Sequence, residues 1–254
     1  MSALIFAVAL GLSAVASGQT DQPSSPAQVK PVLIVVTSHG QKGPDGDPTG
    51  YYLGEVTHPL AVFEAADIPV EFASIQGGEP PVDGLELEDP VNARYWSDEG
   101  FRRSMRTTLR LADVDAGRYS AVFFAGGHGA MWDFADSPAV QSVARDVYEQ
   151  GGVVAAVCHG PAALVNVRLS TGAWLVAGKQ VSAFTDSEER AVGLDQTVPF
   201  LLASTLIERG ALHQPAADWT AKVVVDGRLV TGQNPQSASG VGEQVRDLLL
   251  QNAR

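Results

Sequence analysis

The only cysteine of the 254-residue chain, Cys158, lies where an apolar run meets a turn. Residues 153–157 are continuously apolar and follow two glycines, which predicts a short buried strand. His159 and Gly160 form the turn, and Pro161 suits the first turn of a helix because its missing N–H is not needed there. A strand that turns sharply into a helix at a nucleophile is the elbow geometry of many hydrolytic folds. We therefore predict that Cys158 is a reactive thiol rather than a small core residue.

A cysteine nucleophile needs a base or a charge partner, donors for an oxyanion, and usually a carboxylate that orients the base. His159 can act through its ring only if the turn brings both side chains into one pocket. Its backbone N–H is an equally good oxyanion donor, with Gly126 or Gly127 supplying a second one. Three acids follow a later strand, and any of them can orient the histidine: Asp186, Glu188 and Glu189.

Glu55 lies after the first strand and its loop, near the start of a predicted helix. One interpretation is an acid in the first turn that only complements the helix dipole. In the other, Glu55 points inward at Cys158, and one of the two acidic groups holds a shared proton. A protonated Glu55 would then be available as a general acid or base. The sequence leaves both interpretations open.

His128 lies in a glycine-rich turn and is a possible metal ligand. No second histidine or cysteine stands at metal-ligand spacing from it, since the remaining histidines, His39, His58 and His213, are scattered along the chain. The sequence therefore predicts no metal site.

Strands and helices alternate with short connections, which predicts an α/β fold with a largely parallel sheet covered on both faces. Strands are predicted at residues 31–37, 70–75, 119–125, 153–157 and 179–184, with a hairpin formed by residues 222–225 and 228–231. Helices are predicted at residues 53–66, 97–112, 137–150, 198–209 and 237–251. Active sites in such sheets lie at the carboxyl ends of strands, so Glu55, the Gly126-Gly127 pair and Cys158 are expected to meet at one edge.

The formal net charge of −12 argues against nucleic-acid partners and against an anionic membrane surface. Residues 1–18 carry no charge and include a short apolar run that ends in a small-x-small cleavage site at Ala14-Val15-Ala16. This pattern predicts a signal peptide over residues 1–18, although its first residues lack Lys and Arg. A flexible leader at residues 19–30 and a single domain at residues 31–254 follow, in an exported protein that is periplasmic or secreted.

Four motifs occur in order along the chain, and together they resemble the PfpI-like, class I glutamine amidotransferase-like superfamily. They are Gly50-Tyr-Tyr-Leu-Gly-Glu55-Val-Thr-His58-Pro59, Gly126-Gly-His-Gly-Ala-Met-Trp-Asp133, Ala155-Ala-Val-Cys158-His-Gly-Pro161 and Asp226-Gly-Arg-Leu-Val-Thr-Gly-Gln-Asn-Pro235. Within that superfamily they are similar to the branch of heat-shock chaperones and glutathione-independent glyoxalases. The likeness runs from about residue 32 to the end of the chain.

The resemblance implies a flavodoxin-like three-layer sandwich that forms homodimers. It also implies conversion of methylglyoxal, a small 2-oxoaldehyde, to D-lactate without glutathione, cofactor or metal, as protection against carbonyl stress. Matched motif by motif, Cys158 would be the nucleophile, His159 the general base and Glu55 the carboxylate at the thiol. Glu189 falls where this branch carries the acid of the triad, with an uncertainty of one residue.

Other functions remain open at this point. The same resemblance implies holdase-chaperone and protein-deglycase activities, which members of the branch show to different extents. A cysteine hydrolase acting on peptides or amides is a further alternative, and so is an oxidation sensor that uses Cys158. Transfer of an amide group is disfavoured because a histidine follows Cys158 directly and no distant His-x-Glu pair is present.

Overall fold

A computed structural model describes Met1, residues 29–44 and residues 46–252 of the chain. In this part of the chain the strands are β1 (Val32–Val36), β2 (Tyr51–Tyr52), β3 (Val70–Ser74), β4 (Val82–Asp83), β5 (Leu109–Arg110), β6 (Ala121–Phe124), β7 (Val153–Val157), β8 (Gln180–Val181), β9 (Leu212–His213), β10 (Val223–Asp226) and β11 (Leu229–Gly232). The α-helices are α1 (Gly54–Glu64), α2 (Pro90–Ser97), α3 (Glu99–Arg106), α4 (Ala130–Asp133), α5 (Pro138–Glu149), α6 (Asp186–Ala191), α7 (Leu202–Glu208) and α8 (Ala238–Asn252).

Seven strands form the main sheet in the order β10-β11-β7-β6-β1-β3-β5. All neighbours run parallel except β10 and β11, which form the predicted hairpin around Asp226 and Gly227. Numbered along the chain, the five strands β3-β1-β6-β7-β11 have the order 2-1-3-4-5 of the flavodoxin-like fold. The predicted α/β fold with a mostly parallel sheet is therefore confirmed. In such a sheet, ligands bind beside the carboxyl ends of the strands where the chain reverses direction, here between β1 and β6.

The three central strands consist almost wholly of aliphatic and aromatic residues, and every residue in them is buried. Continuous apolar runs of this kind suit a parallel sheet because both of its faces are covered by helices. The parallel register sets Val32 opposite Val70 and Ala121, and Phe123 opposite Ala155. Phe123 also packs edge-on against Phe63 of α1, at 6.4 Å between ring centroids.

The helices lie on both faces of the sheet. The connection from β1 through α1 leads to β3, on the side of one edge of the sheet. The connection from β6 through α5 leads to β7, on the side of the other edge. Because such crossovers are almost always right-handed, these opposite directions place α1 and α5 on opposite faces. Helix α8 packs against α1 and shares its face. The result is a three-layer sandwich whose connections at the carboxyl ends of the strands are free to build a site.

The predicted helix over residues 97–112 is wrong in its bounds. The structure has two shorter helices there, α2 and α3, separated at Asp98, and strand β5 and the 3₁₀ turn Leu111–Asp113 follow them. Asp98 has an extended backbone and its carboxylate accepts the Phe101 N–H, so it caps α3 instead of continuing α2. Asp89 caps α2 in the same way. The predicted strand at 179–184 is likewise reduced to β8, and the predicted helix at 198–209 begins only at Leu202.

The predicted signal peptide and most of the predicted leader lie outside the described residues, and export and homodimer formation stay predictions. Among the described residues, we find no helix that combines the length and the apolar character needed to cross a bilayer.

Candidate active site

Cys158 directly follows β7, in the conformation expected of a nucleophile elbow. Its φ of 61° lies in the left-handed region that residues with a Cβ rarely adopt. Two backbone hydrogen bonds hold it there, since its N–H donates to the Gly232 carbonyl and its own carbonyl accepts the Phe184 N–H, each at 3.0 Å. The helical turn after it, Gly160–Leu164, is a 3₁₀ turn rather than the predicted start of an α-helix. The side chain of Cys158 is buried, with 4% of its surface exposed.

The glycine at the end of β6 leaves room for the elbow. A Cβ atom at Gly126 would lie 2.6 Å from Glu55 Oε2 and 2.7 Å from the His159 backbone nitrogen. Real Cβ atoms do not approach other atoms this closely, so any larger residue here would displace both groups. Gly127 next to it has a φ of 92°, which favours glycine. The Gly126-Gly127 pair therefore positions Glu55 and the elbow around Cys158.

Glu55 points inward toward Cys158, in agreement with the second of the two interpretations of the sequence. It lies in the first turn of α1 but is fully buried. Its Oε2 accepts the Gly126 N–H at 2.7 Å. Its Oε1 has no hydrogen-bond partner among the described residues, and the Cys158 thiol lies close enough to lower the pKa of this carboxyl. The structure thus brings Glu55 and Cys158 together, as predicted for the carboxylate at the thiol.

Glu189 joins two imidazoles. Its Oε2 lies 2.8 Å from His159 Nε2, and its Oε1 lies 2.9 Å from His128 Nε2. The two rings lie close to one another, with 4.1 Å between their centroids. His159 Nδ1, on the far side of its ring, lies 3.5 Å from Cys158 Sγ. The chain Cys158–His159–Glu189 therefore has the contacts of a nucleophile, a base and an orienting acid.

The charges of this group fix where the protons lie. Burial alone would raise the pKa of Glu189, but hydrogen bonds from His128 and His159 outweigh it and lower the pKa to about 2. Burial and the neighbouring His128 lower the pKa of His159 to about 4, against the opposing effect of Glu189. At neutral pH, Glu189 is thus an anion that accepts from the His159 ring, which is neutral and protonated on Nε2. His159 Nδ1 is left free to take a proton from the Cys158 thiol.

The thiol and Glu55 are coupled. Burial raises the pKa of Glu55 to about 8, although the neighbouring Cys158 thiol and the hydrogen bond from the Gly126 N–H oppose the rise. Burial also raises the pKa of the Cys158 thiol, and the Glu55 carboxyl raises it further, while N–H groups of His159 and Gly127 act in the other direction. Near pH 7, Glu55 is therefore a neutral acid, and the resting thiol keeps its proton until a base removes it.

The structure also separates the three acids of the 186–189 segment. Glu188 does not touch His159. One of its oxygens accepts the N–H groups of Trp219, Asn234 and Gln233, and the other accepts from Thr185, for which Glu188 completes a capping box. Asp186 accepts the hydroxyl of Ser204. Glu189 alone of the three reaches the histidine.

The predicted oxyanion donors are only partly available. The N–H of Gly126 already donates to Glu55, so that prediction is corrected: Gly126 supports the acid and is not free for substrate. The N–H groups of Gly127 and His159 lower the pKa of the Cys158 thiol, so both face its sulfur. Because they point at the nucleophile, they are the donors placed to hold a negative oxygen that forms on an adduct there.

From the sequence, His128 is only a possible metal ligand, and nothing there predicts that it contacts the triad acid Glu189. Together, His128, His159 and Glu189 bring three possible ligand atoms within 4.8 Å of one another. Spacing along the chain could not reveal this group, because the three residues come from three separate connections. The same atoms already share two hydrogen bonds, so a cation such as Zn²⁺ would have to displace those protons and would occupy the ring that faces Cys158.

Removing the buried carboxyl is expected to change how stability depends on pH. Folded Glu55 stays protonated to about pH 8, whereas its ordinary pKa is 4.5. Between these values the folded state binds the extra proton, so its contribution to stability falls as pH rises. The Glu55→Gln variant cannot titrate, and its free energy of unfolding relative to wild type should rise by about 4 kcal/mol between pH 5 and pH 8.5. Urea unfolding of both proteins at the two pH values measures this, and parallel profiles would contradict it.

Several known proteins are similar to this chain in sequence and in fold. The model of the DJ-1/PfpI family matches residues 49–245. Glyoxalase 3 of Candida albicans is 33% identical over 226 residues, which cover 84% of this chain and 96% of that protein. Glutathione-independent glyoxalase HSP31 of Saccharomyces cerevisiae is 32% identical, over 87% of this chain and 98% of that protein. The solved structure of the Rapid Encystment Protein of 24 kDa from Francisella tularensis is 38% identical and has a TM-score of 0.84, over 87% of this chain and 99% of that one.

These similarities confirm the family resemblance that the four sequence motifs predicted. The family match includes Glu55, Cys158, His159 and Glu189, the residues that meet at the elbow. The matches also cover nearly the whole length of each relative, so the similarity is not limited to one motif or to one half of the sheet. The chain belongs to the DJ-1/PfpI family.

Proposed function

We propose that the protein converts methylglyoxal to D-lactate without glutathione, through a covalent adduct on Cys158. The observation that carries this proposal is the thiol placed between two acid–base groups, Glu55 on one side and the His159–Glu189 pair on the other. A reaction that moves a proton between two neighbouring carbons needs such groups around a covalently held substrate. Two curated relatives with similarity over most of the chain are named as glyoxalases.

The first step joins the thiol to the aldehyde carbon of the substrate. His159 Nδ1 accepts the thiol proton as the sulfur attacks, and the aldehyde oxygen becomes negative. The N–H groups of Gly127 and His159 stabilise that oxygen until it takes up a proton, which gives a hemithioacetal. Glu189, whose pKa is about 2, is an anion at neutral pH and stabilises the positive charge on the His159 ring during the transfer.

The second step is an internal oxidation and reduction that needs no cofactor. A base removes the hydrogen on the former aldehyde carbon, an enediol forms, and a proton is delivered to the neighbouring ketone carbon. One carbon is thereby oxidised to a thioester and the other reduced to an alcohol, so the electrons balance within the substrate. We assign this proton transfer to His159 and Glu55, and the raised pKa of Glu55 supports its role as a neutral acid that supplies a proton to the enediol.

The last step is hydrolysis of the thioester. Water attacks the carbonyl carbon, the bond from that carbon to Cys158 Sγ breaks, and lactate leaves as the thiol regains its proton. The net reaction adds one water molecule to methylglyoxal. Neutral His159 is the base placed to activate this water, because its Nδ1 lies on the sulfur side of the ring.

Methylglyoxal turnover by the purified protein tests the proposal. We expect loss of methylglyoxal at equal rates with and without added glutathione, in the presence of a chelator, with one D-lactate formed per substrate consumed. D-lactate is measured with a dehydrogenase specific for that enantiomer. Turnover that requires glutathione, or formation of L-lactate instead, would contradict the proposal. So would hydrolysis of a chromogenic peptide by protein that leaves methylglyoxal untouched.

A further inference from the structure

A row of three aromatic rings leads from the buried triad to the surface. The ring of His159 lies 4.3 Å from that of Phe184, and Phe184 lies 5.7 Å from Trp219 in an edge-on arrangement. The exposed fractions along the row are 1%, 3% and 44%. The row thus starts at the base beside Cys158 and ends in a large apolar side chain that is open to solvent.

The backbone of Trp219 adopts a conformation that tryptophan disfavours. Its φ of 61° lies in the left-handed region, which is strained for a residue with a Cβ. Its N–H donates to Glu188 Oε1 at 2.9 Å, and this buried carboxylate is also bonded by Asn234 and Gln233. The strain is therefore imposed by a fixed network one residue away from the triad acid, Glu189. Glycine would satisfy the same hydrogen bond without strain, so the fold alone does not explain a tryptophan here.

The row is attached directly to the nucleophile. The N–H of Phe184 donates to the Cys158 carbonyl at 3.0 Å, which fixes the middle ring relative to the elbow. His128, whose side chain is 16% exposed, also lies against Phe184, with 6.0 Å between their ring centroids. The partly exposed His128 and the exposed Trp219 therefore contact the same buried ring, that of Phe184.

We propose that Trp219 is a specificity-determining residue, which holds the aryl or bulky alkyl group of 2-oxoaldehydes larger than methylglyoxal against the outer end of this row. The inference rests on the proposed function and adds a substrate class to it. The methyl group of methylglyoxal offers a single carbon to an apolar contact, whereas an aryl group offers a whole ring. A phenyl ring can stack on an exposed indole, and a contact of this kind contributes about 0.5–1.5 kcal/mol beyond its burial.

Turnover of phenylglyoxal and methylglyoxal by the wild type and by Trp219→Ala tests this inference. We expect kcat/KM for phenylglyoxal to fall about tenfold in Trp219→Ala and the value for methylglyoxal to change less than about twofold. Trp219→Phe keeps an aromatic ring and should recover most of the phenylglyoxal activity. Ile207→Ala is the matched control, since Ile207 is another exposed apolar side chain, 53% exposed, on α7. It should leave the ratio of the two substrates unchanged.

The outcomes separate this inference from the proposed function. Wild-type protein that consumes neither substrate contradicts the function itself. Wild-type protein that consumes methylglyoxal, with a substrate ratio that Trp219→Ala leaves unchanged, contradicts only the role of Trp219. Equal losses on both substrates would show a structural effect of the substitution and would also overturn the inference. A change of oligomeric state at an unchanged ratio, measured by light scattering, would assign the exposed indole to a subunit contact instead.

Discussion

Replacement of Cys158 by alanine is expected to lower kcat for methylglyoxal by about four orders of magnitude or more. The proposed reaction holds its substrate on this sulfur in every step, and the chain contains no other cysteine that could substitute for it. Glu55 and His159 would keep their positions but would have no covalent adduct on which to act. The D-lactate assay with purified variant measures the loss. Turnover by Cys158→Ala at a rate near that of wild type would overturn the mechanism.

A second variant distinguishes lost chemistry from lost folding. Because Cys158 has a φ of 61°, glycine should relieve strain at this position whereas alanine retains it. We expect Cys158→Gly to be as inactive as Cys158→Ala and more stable than it by about 1 kcal/mol in urea unfolding. An inactive variant that is at least as stable as the alanine variant shows that the thiol itself was required.

Replacement of Glu189 by glutamine is expected to lower kcat about 10²- to 10⁴-fold with a small change in KM. The carboxylate accepts from His159 Nε2 and so keeps Nδ1 unprotonated toward Cys158. The amide of glutamine can donate to Nε2 instead, which would place the ring proton on Nδ1 and remove the base. Steady-state kinetics with methylglyoxal measure the effect, and an unchanged kcat would contradict the role of this acid.

Glu188 provides the matched control, because it is the buried carboxylate next to Glu189 in the chain and does not contact a histidine. Glu188→Gln weakens hydrogen bonds to the 216–234 connection and is expected to lower stability. Its effect on kcat should be at least tenfold smaller than that of Glu189→Gln. Similar kinetic losses in both variants would indicate that the 185–189 segment had moved as a whole.

The elbow at Cys158 could be predicted because its signals are local. An apolar run, a cysteine, a glycine and a proline occur within a few residues, and each has a preference for one place in a strand, a turn or a helix start. The inward orientation of Glu55 could not be predicted in the same way. An acid in a first helical turn is stable in solvent as well as inside, and only the tertiary position of Gly126 provides its buried donor.

The sequence contains a signal that distinguishes Glu189 from the two other acids of the 186–189 segment. Thr185-Asp-Ser-Glu188 is a capping box, in which the fourth residue turns back to the helix start. The capping box uses the side chain of Glu188 at the start of the helix, so Glu189 is the neighbouring acid whose side chain is free to contact His159. The position of His128 beside Glu189 had no such signal, since the two residues are 61 positions apart and meet only through the order of the strands.

The anchoring of the triad acid has a consequence for the biosynthesis of the protein. Glu188, next to Glu189, is held by Gln233 and Asn234, and the elbow strand β7 pairs with β11, which ends at Gly232. A ribosome adds about 5–20 residues per second and releases the chain from its N-terminal end first. The thiol, its base and its acid therefore emerge some seconds before the segment that locks them together. A nascent chain truncated before β10 lacks both β11 and α8, which pack against β7, and should therefore have no catalytic activity. The thiol becomes reactive only when the fold around it is complete.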